Sequence, residues 1–242
     1  MIFLFTDFGA ADIYVGQVKA VLNEYAPKEA VIDLLHDVPA FNVEASARLL
    51  AALTARLQTG SVTLAVVDPG VGGPRRPVAV RADGRWFVGP DNGLVSVVAA
   101  RAMRSEAWTI GWRPAHLSAS FHGRDLFAPV AAMLARGNRR AAKLSKAALA
   151  VRFGADDLAE VIYVDHFGNL VTGLRASVVP PGCKLRVNGR GLSYARVFSE
   201  VGEGELFWYE NSLGLVEIAA HAGSAAAALA GRVGQPVRIE PG

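Results

Sequence analysis

The chain has 242 residues, of which 52% are hydrophobic and 19% charged, and its formal net charge is +3. That balance allows one large core or two modest ones and excludes a disordered chain or a highly charged tail protein. Basic residues are spread along the sequence, with Arg75-Arg76 and Arg139-Arg140 as isolated pairs, so no stripe suits nucleic acid.

Ile2 to Phe5 predicts a first strand, ending at Thr6-Asp7-Phe8-Gly9. Asp12 to Tyr25 has helical spacing, with Val15, Val18 and Leu22 on one face, and Pro27 ends it. Ala30 to Leu35 is a second buried-strand candidate, ending at His36-Asp37. Asn42 is placed to cap a helix reaching Leu57, with Ala45, Leu49, Leu50 and Leu53 on its apolar face. Val62 to Val67 is the third strand, and Asp68-Pro69-Gly70-Val71-Gly72-Gly73-Pro74-Arg75 follows it. Proline fixes φ and glycine opens dihedrals closed to other residues, so this loop turns sharply. Taken alone it reads first as a Pro/Gly turn with a surface ion pair. A carboxylate at a strand's C-terminal end is also where open α/β sheets bind ligands.

Strands alternating with helices predict βαβ units and a mostly parallel sheet in an α/β domain. Asp7, His36-Asp37 and Asp68 would then gather on one edge. Pro77 to Arg81 and Trp86 to Val88 read as a hairpin around Asp83-Gly84. Pro90-Asp91-Asn92-Gly93 introduces a helix from Leu94 to Met103, Ala107 to Ile110 is a short strand, and Phe121-His122-Gly123-Arg124-Asp125 precedes a helix through Leu134.

Arg136 to Asp156 is basic, alanine-rich and weakly patterned, and reads as a helical connector or linker. Beyond Glu160 come short β-rich segments: Val161–Val164, Leu170–Thr172, Lys184–Val187, Tyr194–Phe198, Leu206–Glu210 and Leu215–Ala219. Their spacing predicts a smaller all-β domain, a barrel or sandwich. The expected division is 1–155 and 156–242. Cys183 stands alone, which suits a reducing compartment. Met1 to Asp7 lacks the basic region of a signal peptide, and no apolar run reaches the roughly 18 residues of a membrane span. A cytoplasmic protein with neither nucleic acid nor membrane as partner is expected.

Six motifs then stand in order: Thr6-Asp7-Phe8-Gly9 with Asp12, Asp68-Pro69-Gly70-Val71-Gly72, Pro90-Asp91-Asn92-Gly93-Leu94, Phe121-His122-Gly123-Arg124-Asp125, Asp165-His166-Phe167-Gly168-Asn169 and Asn211-Ser212-Leu213-Gly214. Each is weak by itself. Together they resemble the S-adenosyl-L-methionine (SAM) hydroxide adenosyltransferase family, the adenosine-forming SAM hydrolases, which are related to the fluorinases and chlorinases. The resemblance implies an N-terminal α/β domain, a C-terminal β-barrel and a homotrimer. Its ligand site would lie between one subunit's N-domain and a neighbour's C-domain. The implied reaction is attack of water or hydroxide on the 5′ carbon of SAM, giving adenosine and L-methionine, with neither metal nor other cofactor.

The resemblance also carries site residues. Asp68, Arg75 and His122 match an Asp-Arg-His triad that orients the attacking water. A sulfonium leaves as a neutral thioether and needs no acid, so the task is to position and activate an oxygen nucleophile. Which member takes the proton stays open at this stage, and His122 by itself is as readily a buried, hydrogen-bonded histidine. Asp7 matches the acid that binds the ribose diol, with a helix N-cap as its ordinary alternative. Asn169 matches the adenine-edge residue, and Asp165 and Ser212 match contacts to the methionine end; the ordinary alternative for 165–169 is a polar hairpin turn. Ala222 aligns with a residue offering backbone groups to adenine. Phe41 aligns with an aromatic near the nucleoside, but a lone phenylalanine is more often core, and it is left out of the site set. Where the halogenases carry tyrosine this chain has Asp68, a carboxylate that repels halide. Gly123 stands at the fluorinase serine position, but chlorinases also have a small residue there, so it discriminates little; the fluorinase insertion after the Pro-rich loop is missing. The competing readings are a halogenase, a non-catalytic SAM or adenosine sensor, and a metal-dependent hydrolase built from Asp7, His36, Asp37 and Asp68.

Overall fold

The computed structural model describes residues Met1 to Pro241. It divides into two units, Met1–Ala155 and the chain from Asp156 onward. In the first, strands β1 (Ile2–Thr6), β2 (Val31–Leu35), β3 (Val62–Val66), β4 (Pro77–Ala82), β5 (Arg85–Pro90), β6 (Ser105–Ile110) and β7 (Leu144–Lys146) form one sheet in the order β2-β1-β3-β5-β4-β6-β7. β1 and β3 are buried at every position, as continuous apolar runs require when both faces are covered, whereas β2, expected to be buried, is an edge strand and is buried at no position.

The expected mostly parallel sheet is corrected to a mixed one. β2, β1, β3 and β5 run parallel, whereas β4 pairs antiparallel with β5 and β6, and β6 with β7. The cause is local. Asp83 and Gly84 have φ of 46° and 82°, a two-residue turn whose twist folds β5 straight back along β4 with no crossover helix. The parallel half still brings the C-terminal ends of β1, β2, β3 and β5 to one edge.

Helix α1 (Ile13–Tyr25) buries Val15, Val18 and Leu22, and the Asp12 side chain caps it by accepting from the Ile13 N–H. Helix α2 (Val43–Thr54) is capped by Asn42, whose side chain accepts from the Ala45 N–H. It stops at Thr54, short of Leu57. Helix α3 (Ser96–Arg101) is shorter than the expected 94–103. Helix α4 (Ala128–Ala135) follows a π-helical turn, Gly123–Phe127, and packs on α1 and β3. The core between helices and sheet includes Leu4, Leu22, Leu64, Val66 and Phe127.

The helical connector expected over 136–156 is not formed. Gly137, at φ 75°, donates its N–H to Leu134 O while Asn138 N–H reaches Met133 O, the paired bonds that end a helix at a left-handed glycine. The chain beyond turns and contributes β7 to the sheet edge.

The second unit contains β8 (Leu158–Val164), β9 (Leu170–Arg175), β10 (Lys184–Val187), β11 (Arg190–Tyr194), β12 (Leu206–Glu210), β13 (Leu215–Ala220), helix α5 (Ala225–Leu229) and β14 (Arg238–Glu240). The sheet order is β14-β10-β11-β12-β13-β9-β8. It curls into a half-barrel, and Val161 N–H to Gln235 O (2.9 Å) and Val237 N–H to Ala159 O (2.8 Å) join β8 to the segment before β14. The strand expected over Tyr194–Phe198 is corrected. Asn188 and Gly189, both at positive φ, make a tight hairpin that starts β11 at Arg190, and β11 has ended by Tyr194. Trp208, Val216, Ile218 and Leu170 fill this unit's core. Among the described residues no helix is long and apolar enough to cross a membrane.

Candidate active site

Asp68 lies just past the end of β3. The loop after it is built from two successive turns, Val71 N–H to Asp68 O (3.1 Å) and Gly73 N–H to Gly70 O (3.0 Å). Gly72 sits at φ 79°, and a Cβ there would stand 2.6 Å from Ala119 O, so only glycine fits. These turns bring Arg75 back onto Asp68. Its Nε donates to both carboxylate oxygens at 3.1 and 2.9 Å, and a terminal nitrogen donates to Oδ2 at 2.5 Å. That terminal nitrogen also lies 2.8 Å from His122 Nδ1. Asp68 and Arg75 side chains are only 4% and 11% exposed, so the pair is held out of bulk water. Phe127 lies under the guanidinium at 5.5 Å. The neighbouring Arg76 turns the other way, to Asp91.

Because arginine only donates, His122 Nδ1 must accept. The imidazole is then neutral and carries its proton on Nε2. Its pKa is lowered, first by burial and then by the Arg75 charge, against a smaller upward pull from Asp68. His122 heads the π-helical turn, an irregularity that helices carry most often at functional positions.

Asp68 and His122 line a cavity of about 400 Å³ together with Asp7, Phe8, Phe41 and Phe121, among others. The N-cap reading of Asp7 fails, because Asp12 caps α1. The Asp7 carboxyl instead lines the cavity, and its pKa is raised by burial and, less strongly, by Asp68. Phe41 is 78% exposed and sits at φ 64°, a strained setting for an aromatic residue and one that clusters at ligand sites. A Cβ on Gly123 would approach the Phe8 ring to 2.8 Å, so the serine of the fluorinase pattern does not fit without displacing that wall. His36 and Asp37 are occupied elsewhere. His36 Nδ1 bonds Thr6 Oγ1 at 2.7 Å, its Nε2 is 3.0 Å from Asp33, and Asp37 accepts from the Ala10 N–H at 3.1 Å. Among the described residues no group of three or more His, Cys, Asp or Glu is arranged to hold a metal ion.

The remaining residues that the sequence singles out, Asp165, Asn169, Ser212 and Ala222, line a second cavity of about 810 Å³ within the second unit. Asp165 closes the β8–β9 loop: its Oδ1 accepts from the Phe167 and Asn169 N–H groups at 2.9 and 2.8 Å, and its Oδ2 from Asn169 Nδ2 at 2.9 Å. The polar-turn reading of 165–169 is therefore correct and coexists with a place in the cavity wall. Gly168 needs its bare Cα, since a Cβ would fall 2.1 Å from Ser224 Oγ. Ala222 has φ 53° in the turn that follows β13. Phe198, Tyr209, Asn211 and Glu217 also line this cavity, and sequence reading passed over them as site residues. One signal was available: Glu217 is a lone carboxylate inside Leu215–Ala220, a strand buried at every position.

A family model described as the SAM hydroxide adenosyltransferase N-terminal domain matches residues 2–144, and one described as the C-terminal domain of the same family matches 159–238. A Thermus thermophilus protein named (R)-S-adenosyl-L-methionine hydrolase is 42% identical over 98% of both chains. A Salinispora arenicola protein of the same name is 40% identical, over 98% of this chain and 96% of the other. A fluorinase from Actinopolyspora mzabensis is more distant, 28% identical over 97% and 95%. A solved structure of a conserved Thermotoga maritima protein superimposes with a TM-score of 0.87 at 33% identity, covering 99% of this chain and 100% of the other.

Proposed function

This chain belongs to the SAM hydroxide adenosyltransferase family, and from that premise we propose how it hydrolyses SAM to adenosine and L-methionine. Water attacks C5′ in line with the C5′–S bond, a C5′–O bond forms, and the C5′–S electron pair leaves on sulfur as the neutral thioether of methionine. One proton is released for each turnover. The chain's task is to hold the oxygen in line, favour its negative charge as it develops and keep other water away.

The observation that carries the reading is one guanidinium shared between a carboxylate and an imidazole at the wall of a cavity. With Nδ1 committed to Arg75, His122 offers the nucleophile an Nε2–H donor and no base. Asp68 is then the group that accepts the water's proton. Arg75 fixes both partners and supplies the positive field that favours hydroxide character. The buried Asp68 carboxylate also opposes entry of halide, which supports water over fluoride as nucleophile.

Asp7 binds the ribose diol in this reading, since two carboxylate oxygens suit two hydroxyls. Asn169 and the Ala222 backbone take the adenine edge, and Asp165 and Ser212 take the methionine end. No metal or cofactor is assigned a step. We further propose a homotrimer acting in the cytoplasm; sedimentation of the purified protein tests the first, and the lone Cys183 suits the second.

The decisive experiment is incubation with SAM in oxygen-18 water free of halide, followed by mass spectrometry. Label at the 5′ oxygen of adenosine, with methionine unlabelled, is expected. Intact SAM in the presence of measurable binding would replace the hydrolase with a sensor, and a halide-dependent 5′-halo product would replace water as the nucleophile.

A further inference from the structure

The Pro90-Asp91-Asn92-Gly93 turn takes no part in the chemistry above, and its residues lie outside the wall of the cavity that Asp68 and His122 share. Its place follows from the sheet. β5 lies between β3 and β4, parallel to the first and antiparallel to the second. The end of β5 therefore adjoins both the end of β3, which Asp68 follows, and the start of β4, which Arg75 and Arg76 precede. The loop from Asp68 to Arg75 leaves one neighbour of β5 and returns to the other, so the turn after β5 meets both ends of it.

One side chain holds each end. Asn92 Nδ2 donates to the carbonyl of Val67, the residue before Asp68, at 2.8 Å. Its Oδ1 accepts from the Leu94 N–H at 3.2 Å, which settles which way round the amide lies. Asp91 takes the other end. Its Oδ2 accepts from Arg76 Nε and from an Arg76 terminal nitrogen at 3.0 and 2.5 Å, and its N–H donates to Arg76 O at 2.9 Å. Asp91 Oδ1 accepts from the Ala150 N–H at 3.0 Å. The Asp91 side chain is 1% exposed and that of Arg76 42%, so the carboxylate is the fixed partner and the arginine is drawn to it. Behind the turn, the Phe153 ring fills the place of a Cβ on Gly93, 2.4 Å away, and holds the turn against the linker.

Consecutive side chains of a chain entering a strand point to opposite sides. Holding Arg76 toward Asp91 therefore turns Arg75 to Asp68 and His122, where its terminal nitrogen makes contacts of 2.5 and 2.8 Å. We propose that Asp91 and Asn92 are positioning residues for the hydrolysis, clamping the two ends of the catalytic loop and so setting how Asp68 and Arg75 face each other. Neither touches the reacting atoms. This rests on the reading of Asp68 and Arg75 as the pair that activates water, and adds to it the residues that keep the pair aligned.

Asn92→Asp keeps the side chain's shape and loses the donor to Val67 O. Arg76→Gln frees the other end from a half-exposed position, with little risk to the fold. For both, adenosine release from SAM is measured with calorimetric affinity for S-adenosylhomocysteine. Hydrogen exchange is followed at the Val71 and Gly73 amides, whose bonds to Asp68 O and Gly70 O build the loop. Because a misplacement of about 1 Å can cost about 100-fold, kcat is expected to fall about 10- to 100-fold. KM and affinity for S-adenosylhomocysteine should stay within about threefold of wild type. Arg76→Lys, which keeps a donor for Asp91, should recover part of kcat. Exchange should quicken at Val71 and Gly73 and stay unchanged at Leu4 in β1. A kcat within about threefold of wild type in both variants, or a raised KM at unchanged kcat, would overturn the clamp. So would unchanged loop exchange, or a rise that extends to Leu4 and marks general loosening. Wild-type protein that releases no adenosine would instead sink the hydrolase reading, and loop exchange would still decide the clamp.

Discussion

Arg75→Lys is the substitution that asks most of the proposed mechanism, because it keeps the charge and removes the fork. The guanidinium contacts both Asp68 oxygens and, through the terminal nitrogen that also holds Oδ2, His122 Nδ1. A lysine ammonium is a point charge on a flexible stem and cannot reproduce a planar group that spans both partners. Asp68, the stronger partner, will keep it, and His122 Nδ1 loses its donor. A hydrogen bond involving a charged group is worth about 1.5–3 kcal/mol. If that loss falls on the transition state, kcat drops about 10- to 150-fold. KM should move little, since the missing bond orients the nucleophile and does not bind substrate. The assay is steady-state release of adenosine from SAM, with the thermal midpoint recorded to show that the variant is folded. A folded Arg75→Lys enzyme with kcat within about threefold of wild type would refute the shared-guanidinium mechanism. A raised KM at unchanged kcat would reassign Arg75 to substrate binding.

Acid should silence the enzyme in a defined window. His122 works neutral, with a pKa below its ordinary 6.5, and Asp7 works ionised, with a pKa above its ordinary 3.8. Falling pH puts a proton on His122 Nδ1 facing Arg75 and discharges Asp7, so kcat/KM is expected to fall between these values and to be flat just above 6.5. An acid limb centred above 6.5 would contradict the downward shift of His122. Gly123→Ser places a side chain 2.8 Å from the Phe8 ring and should overpack the cavity wall. It should cost about 1–3 kcal/mol by calorimetric melting and raise KM for SAM; an unchanged midpoint with unchanged KM would show that Phe8 yields freely. Asp165→Ala strips an acceptor from two backbone N–H groups and from Asn169. A loss of about 1–3 kcal/mol in denaturant unfolding is expected, with SAM binding weakened beyond what Asp165→Asn produces. Equal binding losses in the two would deny the carboxylate a role in recognition.

Much of the first unit was legible because its cues are local. Val15, Val18 and Leu22 repeat at helical spacing and are the buried face of α1, and Asn42 caps α2 through its own side chain. Apolar runs bounded by Asp7, Asp37 and Asp68 gave β1, β2 and β3 and the edge on which their ends meet. The errors have local causes as well. The hairpin around Asp83-Gly84 was itself legible; the error lay in reading the whole sheet as mostly parallel although that hairpin, with β6 and β7 beyond it, makes half of the sheet antiparallel. Gly137 stops α4 where the alanine content suggested continuation, and Asn188-Gly189 sets the start of β11.

The sequence by itself determined which residue types stand ready at Asp7, Asp68, Arg75, His122, Asp165, Asn169, Ser212 and Ala222, because their order along the chain carries the family pattern. Only the tertiary structure decided what each can do. Arg75 and His122 are distant in sequence, and their contact at 2.8 Å depends on the π-helical turn and the glycine loop closing together. That contact assigns the imidazole tautomer, which no residue pattern encodes. Likewise Tyr209 and Glu217 meet only because β12 and β13 pair in one register, so the direction of a single hydroxyl proton is a property of the sheet. Hydrogen-bond donors are fixed by composition; where their protons point is fixed by packing.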